Sequence, residues 1–403
     1  MNPAATPTMD GLNGRVFLFT YMMLYLAAPV VYVGVVQAAL CDKLGASATV
    51  ANMPLAAYQL GQFSPLLATW LIPHRLERTV LVWTASVAAL LQGMVVAVLM
   101  IPFPASVRIG VVTMQGLLLG LVWSVGMLYL YQCLNRGTSL EGRARALKLT
   151  YSMGPLAAVA GSLAAQYVLN PGFRWLPFPY DFAGIYAFGF LATVVVAVLS
   201  TRYDLLPVAD EPRPPIRRFL SGLFAEYLSN RTLWLLWLAF LLWSCTLGSV
   251  ANVSLYTREA MGRDPKDFSG LIMAIRFSAK ALAGYGLGWL ALRYGLRTAS
   301  QATSGLFAAG MLWAWLVPGT AFLGAFGWLG GGELGGVYFP NYALALTSLA
   351  SGPRVLAALM LATPVSGFAP VMHGWLTDHF GFAASFAFGL ATALAAAACV
   401  RKR

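Results

Sequence analysis

The chain has 403 residues, of which 59% are hydrophobic and only 10% are charged. A soluble domain carries about 25% charged residues, so this composition excludes a water-soluble protein and predicts an all-α integral membrane protein. The net charge of +12 does not indicate nucleic-acid binding, because the basic residues form short clusters between apolar runs and no basic stripe along a polar helix.

Twelve apolar runs are long enough to cross the hydrocarbon core of a bilayer, which takes about 20 residues. The first run is longer than a signal-peptide core and lacks a cleavage pattern, so it is interpreted as a membrane helix. The predicted spans are 16–40, 48–72, 79–101, 107–134, 147–169, 181–200, 232–257, 268–292, 298–317, 322–349, 355–376 and 382–400. Prolines inside several spans are expected to be accommodated by packing within the bundle.

A polar, proline-rich stretch over 201–231 divides the twelve spans into six and six. The sequence therefore predicts a six-helix bundle at 1–200, a cytoplasmic linker at 201–231 and a second six-helix bundle at 232–403, the layout of two pseudo-repeated halves. Most Lys and Arg residues fall in the segments that are inside if the amino terminus is inside, which predicts that both termini are cytoplasmic. The short loops and termini favour a bacterial inner membrane and a monomer.

The loop after the eighth span carries a glycine and arginine pattern built from Gly288, Arg293, Gly295 and Arg297. It is similar to the G-x-L-x-D-R-x-G-x-R motif of the major facilitator superfamily, with Leu292 at the position of the Asp. The loop after the second span keeps two of the motif arginines, Arg75 and Arg78, with His74 at the position of the Asp.

Three further stretches strengthen this resemblance. They are a relative of the same motif after the eleventh span, a glycine and proline pattern in the fifth span, and the usual entry to the sixth helix: Gly374–Asp378 with Gly381, Gly154–Pro155 with Gly161, and Gly172–Trp175. The resemblance implies two six-helix bundles around a central cavity that opens alternately to either side of the membrane. In the superfamily the motif Asp latches the halves at the cytoplasmic side, and both cytoplasmic copies lack it here.

Three charged residues lie deep inside the predicted spans, where a charge costs about 2.5–3.5 kcal/mol. Arg276 and Lys280 are four residues apart in the eighth span, so they share one helix face about 6 Å apart along the axis. Glu333 lies in a glycine-rich part of the tenth span, at about the depth of Lys280. Two like charges at this spacing favour an anion or a carboxylate beside them.

Each of these charges has two interpretations. Arg276 and Lys280 either bind an anionic substrate, for which the planar arginine fork is suited, or are structural, with Arg276 reaching the outer surface and Lys280 neutralised by a partner. Glu333 either carries a proton that is coupled to transport or forms a fixed ion pair that holds the eighth and tenth helices together. An intermediate hypothesis is that the pair breaks when the anion arrives.

Polar side chains in other spans are candidates for lining the central cavity, although interhelical packing explains each of them individually. By the repeat, Tyr58 and Gln62 occupy the positions that match Arg276 and Lys280. The full set of candidates is Tyr25, Tyr58, Gln59, Gln62, Asn252 and Asn341, with Tyr32 and Tyr342 beside them.

No motif for a catalytic site, a nucleotide, a metal or another cofactor is present. The four cysteines have no metal or redox spacing, and His373 and His379 are interpreted as loop residues. The sequence therefore predicts a non-enzymatic secondary transporter for a small anionic solute, with proton coupling through Glu333. The alternatives are an exporter of amphipathic compounds and a non-transporting membrane sensor or assembly factor on the same fold.

Overall fold

A computed structural model describes residues 6–170, 172, 175–207, 215–223, 225–347 and 352–400. These residues are all-helical, and no strand occurs among them. Phe173 and Arg174 of the predicted entry to the sixth helix, and 208–214 of the predicted linker, lie outside the described residues.

Ten α-helices form the part of the chain before the predicted linker, with one 3-10 turn at His74–Leu76. They are α1 (Pro7–Leu26), α2 (Ala28–Val31), α3 (Val35–Lys43), α4 (Ala48–Ala51), α5 (Met53–Gly61), α6 (Ser64–Leu71), α7 (Glu77–Met100), α8 (Ala105–Gly137), α9 (Leu140–Leu169) and α10 (Tyr180–Ser200). The predicted linker itself contains two short helices, α11 (Ile216–Leu223) and α12 (Ala225–Ser229).

The described residues after the predicted linker form eleven further α-helices. They are α13 (Arg231–Leu247), α14 (Ser249–Leu255), α15 (Thr257–Met261), α16 (Ser269–Tyr294), α17 (Leu296–Leu316), α18 (Ala325–Gly332), α19 (Gly335–Ala345), α20 (Gly352–Met360), α21 (Ala362–Val365), α22 (Ala369–Phe380) and α23 (Phe382–Cys399). Single 3-10 turns cover Pro265–Phe268, Gly319–Gly324 and Ser366–Phe368.

Among the residues that the structure describes, seven helical segments are long and apolar enough to cross a membrane, by length and composition. They are Glu77–Met100, Ala105–Gly137, Leu140–Leu169, Tyr180–Ser200, Arg231–Met261, Arg354–Phe380 and Phe382–Cys399. Several of the other predicted spans are broken into short helices. Prolines explain many of the breaks, since a proline has no N–H to donate and suits the first turn of a new helix; Pro29, Pro54, Pro65 and Pro370 lie there. Pro155 and Pro340 lie inside helices.

Helix pairing repeats between the two parts of the chain. Helix α7 packs on α8 and α10 and α5 packs on α8, while α17 packs on α18 and α23 and α16 packs on α18. Each pair in the first part therefore has a counterpart six predicted spans later. The linker helix α12 packs on α13, and the Tyr227 hydroxyl donates to the Val355 carbonyl at 2.7 Å. The second of the two linker helices is thus attached to the second part.

Candidate functional site

The three deep charges predicted from the sequence meet in one cluster. Arg276 donates from Nε to Oε1 of Glu333 at 2.9 Å, and its Nη2 contacts the same oxygen. Lys280 reaches the other carboxylate oxygen, with 3.4 Å between Nζ and Oε2. The carboxylate thus bridges two cations that are one helical turn apart, and the three formal charges sum to one positive charge. We call these three residues the charged triad.

The helical chain is interrupted at Glu333. Helix α18 ends at Gly332 and α19 begins at Gly335, and a tighter turn joins them, in which the Leu334 N–H donates to the Gly331 carbonyl at 3.2 Å. The span predicted at 322–349 is therefore not one continuous helix. A break of this kind, inside a membrane bundle, places backbone and side chains at a binding site in other transporter folds.

Close backbone contact brings Glu333 to Arg276. A side-chain carbon at Gly330 would clash with the backbone carbonyl of Arg276, so only glycine fits there. The Trp243 indole fixes the other side of the break, donating to the Gly332 carbonyl at 3.0 Å. The glycine run in the tenth span thus allows close contact with α16 on one side and with Trp243 of α13 on the other.

The same contact recurs in the first part of the chain. A side-chain carbon at Gly120 in α8 would clash with the carbonyl of Tyr58 in α5, as Gly330 would with Arg276. This similar contact agrees with the expectation from the repeat that Tyr58 and Gln62 match Arg276 and Lys280. By this match, neutral residues of the first part occupy the places of the two cations.

A cluster of tyrosines in the first part packs against the helix that carries the two cations. The rings of Tyr25 and Tyr32 lie 5.7 and 5.6 Å from the ring of Phe277, which directly follows Arg276. Tyr25 also stacks on Tyr21 at 4.8 Å. Tyr25, one of the predicted lining residues, therefore contacts Phe277, the residue next to Arg276.

Other predicted lining residues lie apart from the charged triad. Gln62 lines a cavity of about 740 Å³, and Gln59 is buried with Oε1 unbonded. Asn341 is exposed and donates to the Val337 carbonyl of its own helix. Asn252 is buried and joins three partners: Asn52, Thr377 and Ser385.

The cavity lies between the two parts of the chain, at the end of the molecule where α1 begins and α23 ends, which we call the terminal end. Gln62 and Phe63, between α5 and α6, line one wall together with residues of α6 and α8, and residues of α19, α20 and α21 line the other. The lining is mainly apolar and includes Tyr131, Met127 and Met360. A volume of 740 Å³ is in the range of pockets that hold small organic molecules.

The opposite end, where α3 ends and α16 begins, is closed by polar contacts between the two parts. Ion pairs join Lys43 to Asp264 at 2.6 Å, Arg258 to Asp42 at 2.6 Å and Lys266 to Asp181 at 2.6 Å. The Lys266–Asp181 pair is the most buried, with side chains 13% and 2% exposed. The sequence did not reveal these pairs because the two residues of each pair lie far apart in the chain.

A carboxylate from the second part also caps a helix of the first part at this end. Asp378 accepts hydrogen bonds from the backbone N–H groups of Ala48 and Thr49, both at 2.9 Å, and from the Thr49 hydroxyl. The first N–H groups of a helix have no partner within the helix, so the carboxylate satisfies two of them. Asp378 is the Asp of the motif relative after the eleventh span.

Two of the motif arginines donate to backbone carbonyls, one in the predicted linker and one at the end of α23. Arg78 donates to the Tyr203 carbonyl at 3.1 Å, and Arg297 donates to the Val400 carbonyl at 2.7 Å. Gly295 caps α16 with a positive φ of 89°, which favours glycine. A gating role for the six motif residues rests on the resemblance alone: Gly288, Arg293, Gly295, Arg297, Arg75 and Arg78.

The interpretation of His373 as a loop residue is wrong. His373 is fully buried in α22, where Nδ1 pairs with the Ser385 hydroxyl at 2.8 Å and Nε2 faces the Cys245 carbonyl at 3.3 Å. The sequence carried no signal for its partners, which lie 12 and 128 residues away. None of the four cysteines forms a disulfide, and three of them are buried.

Similar folds occur among solved membrane transporters. The chain is 11% identical to a mutant form of the nucleoside transporter NupG, with a TM-score of 0.71 over 97% of this chain and 98% of that one. It is 11% identical to the peptide transporter POT in complex with sulfate, with a TM-score of 0.70 over 96% and 94%. It is 17% identical to a bacterial homologue of the iron transporter ferroportin, with a TM-score of 0.60 over 96% of this chain and 98% of that one.

No family model matches the sequence, and no curated protein matches it either. Likeness at 11–17% identity shows the fold alone. The chain therefore has the major facilitator fold and, with its apolar helices, is a multi-pass membrane protein.

Proposed function

We propose that the protein is a secondary active transporter that binds a small anionic solute at Arg276 and Lys280 and moves it by alternating access. The observation that carries the proposal is the charged triad. Two cations are held inside the fold on a single carboxylate, so a net positive charge remains for an anion. Buried ionisable groups in membrane helices are costly and mark substrate or ion pathways.

The proposal includes twelve membrane spans. They form bundles at 1–200 and 232–403, joined by a linker at 201–231. In this proposal both termini are cytoplasmic, and the protein is a monomer of a bacterial inner membrane. The cavity at the terminal end then faces the cytoplasm, and the ion pairs at the opposite end close the outer side. Repeated helix pairing between the two parts supports this division.

Glu333 competes with the anion for the two cations in this mechanism. A proton on Glu333 weakens its bonds to Arg276 and Lys280 and frees both for the anion. The empty triad carries one positive charge, and the triad with one proton and one monovalent anion carries the same charge. Proton and anion then move together without net charge transfer.

Anion-dependent thermal stabilisation of the purified protein tests the proposal. A ligand that binds the native state raises the melting temperature by mass action. We expect nitrate, phosphate or a mono- or dicarboxylate to stabilise wild type and to have no effect on Arg276→Ala. If no anion stabilises the wild type while apolar cations do, the anion site is wrong and an exporter of amphipathic compounds replaces it.

A further inference from the structure

The tyrosines near the charged triad form a continuous series, which we call the tyrosine ladder: Tyr21, Tyr25, Tyr32, Tyr131 and Tyr151. Tyr25 contacts Tyr21 and Tyr32 with ring centroids 4.8 and 5.6 Å apart. Tyr21 meets Tyr151 edge to face at 6.0 Å, and the hydroxyls of Tyr151 and Tyr131 are 2.8 Å apart. All five residues come from the first part of the chain.

The ladder runs from the residue next to Arg276 to the cavity. At one end Tyr25 and Tyr32 pack on Phe277, which directly follows Arg276. At the other end Tyr131 lines the 740 Å³ cavity. Tyr151, whose hydroxyl bonds Tyr131, is 53% exposed, whereas Tyr21 is only 5% exposed.

The size and chemistry of this path exceed what a small inorganic anion uses. Nitrate or phosphate fills a small fraction of 740 Å³ and has no apolar surface to bury against Met127 or Met360. An aromatic ring gains from stacking on tyrosine rings and from burial. A planar carboxylate matches the arginine fork in two parallel hydrogen bonds.

We infer that the substrate is a monovalent carboxylate that carries an aromatic ring. Its carboxylate binds Arg276 and Lys280 of the second part, and its ring stacks on the tyrosine ladder of the first part. This inference rests on the proposed function, since it names the substrate class of the same site. One ligand then contacts both parts of the chain and couples its binding to their relative movement.

Isothermal titration of the purified full chain with benzoate, acetate and nitrate tests the substrate class. We expect benzoate to bind about tenfold or more tightly than acetate or nitrate, because the ring adds stacking and burial. Tyr25→Ala is the first variant, since the Tyr25 ring packs on Phe277, the residue next to Arg276. We expect it to reduce the affinity for benzoate about tenfold and to leave that for acetate unchanged.

Two further variants separate stacking from other effects. Tyr25→Phe keeps the ring and is expected to keep most of the preference for benzoate, whereas Tyr25→Ala loses it. Tyr285→Ala removes a tyrosine of α16 that is 79% exposed and lies outside the ladder, so all three affinities should stay as in wild type.

The outcomes distinguish the two proposals. If acetate or nitrate binds as tightly as benzoate and Arg276→Ala abolishes that binding, the aromatic substrate is wrong and the anion site stands. If benzoate is preferred but Tyr25→Ala does not alter the preference, the ladder is not the binding surface. If none of the three anions binds, the proposed anion site itself is overturned.

Discussion

The two ends of the molecule differ in how the two parts of the chain meet. At the opposite end, ion pairs and a helix cap cross from one part to the other. At the terminal end, the ion pair of Arg136 with Glu77 lies within the first part, and a cavity separates the parts.

This difference teaches which contacts define the conformational state. In the proposed alternating-access mechanism, contacts within one part are kept when the parts rotate, whereas contacts across the parts must break. The free-energy difference between the two states therefore depends on the opposite end, and breaking its contacts should open that end. Equivalent contacts at the terminal end should affect overall stability alone.

The largest expected effect comes from the buried pair of Lys266 and Asp181. Lys266→Met leaves the Asp181 carboxylate buried without its partner, a change that costs about 3–5 kcal/mol. We expect the opposite end to open, which lengthens the distance between spin labels at Ser106→Cys and Thr320→Cys. Both label sites are exposed at that end, and Cys399→Ser removes the least buried native thiol.

The matched control for Lys266 is Arg136. Its side chain is 14% exposed and its partner Glu77 is 2% exposed, against 13% and 2% for Lys266 and Asp181. Arg136→Met should lower the melting temperature and leave the label distance at the wild-type value. Equal label distances in Lys266→Met and Arg136→Met would contradict the difference between the two ends.

The next effect is that of Asp378, which caps α4 across the two parts. Asp378→Ala removes a helix cap, which costs about 1–2 kcal/mol, and should shift the same label distance towards the open state. Asp10 is the matched cap at the terminal end, since it accepts from the backbone N–H of Ser139 at 2.6 Å within the first part. Asp10→Ala should not shift the distance; a shift of equal size would show that caps act without regard to position.

A smaller effect concerns pH at the pair of Lys43 and Asp264. Burial acts to raise the pKa of Asp264, but the bonds from Lys43 and from the Lys266 N–H lower it overall. The bond to Asp264 raises the pKa of Lys43 above its ordinary value. Because the pKa of Asp264 is lowered, its carboxylate stabilises the closed end at pH values above the ordinary pKa of Asp. This contribution is lost as the pH falls through the lowered pKa.

The raised pKa of Lys43 sets the upper pH limit. The stabilisation from the charged Lys43 side chain is lost as the pH rises through that pKa. The pair should therefore favour the closed end at neutral pH and stop doing so well below about pH 4. Asp42, Asp267 and Arg258 face the same pair, so the difference between wild type and Lys43→Met isolates it. If label distances in the two proteins change in parallel from about pH 7 to about pH 3, the pair has no such role.

The smallest effect is expected for the exposed pair of Arg145 and Glu141 at the start of α9. The two side chains are 71% and 86% exposed, and such pairs contribute about 0.5 kcal/mol or less. Arg145→Ala should change neither the melting temperature by more than about one degree nor the label distance. A large change would show that the terminal end holds the state as well.

The sequence predicted the charged triad because the cost of a deep charge and the helical period are local properties. Arg276 and Lys280 had to share a face, and Glu333 had to lie at a similar depth. Sequence pattern also predicted the fold through the resemblance. The contacts of the opposite end were not predictable, because Lys43 and Asp264 are 221 residues apart. Isolated charges near the ends of helices form no periodic pattern that would indicate a partner.

Helix breaks and the partners of His373 were equally hidden. Hydropathy averages over a span, so it does not register that α18 stops at Gly332 and that α19 starts afresh. The tyrosines were seen one by one, and of the five in the ladder only Tyr25 was a primary candidate. Their ladder depends on separate helical segments meeting in space.

The most direct test of the central claim measures protons taken up when an anion binds. The purified wild type and Glu333→Gln are titrated calorimetrically with benzoate at about pH 7 in imidazole and in Tris, whose ionisation enthalpies differ. If Glu333 must accept a proton to release Arg276 and Lys280, wild type takes up close to one proton per anion and Glu333→Gln takes up none while still binding. Binding by wild type without proton uptake, or equal uptake by both proteins, would contradict the account.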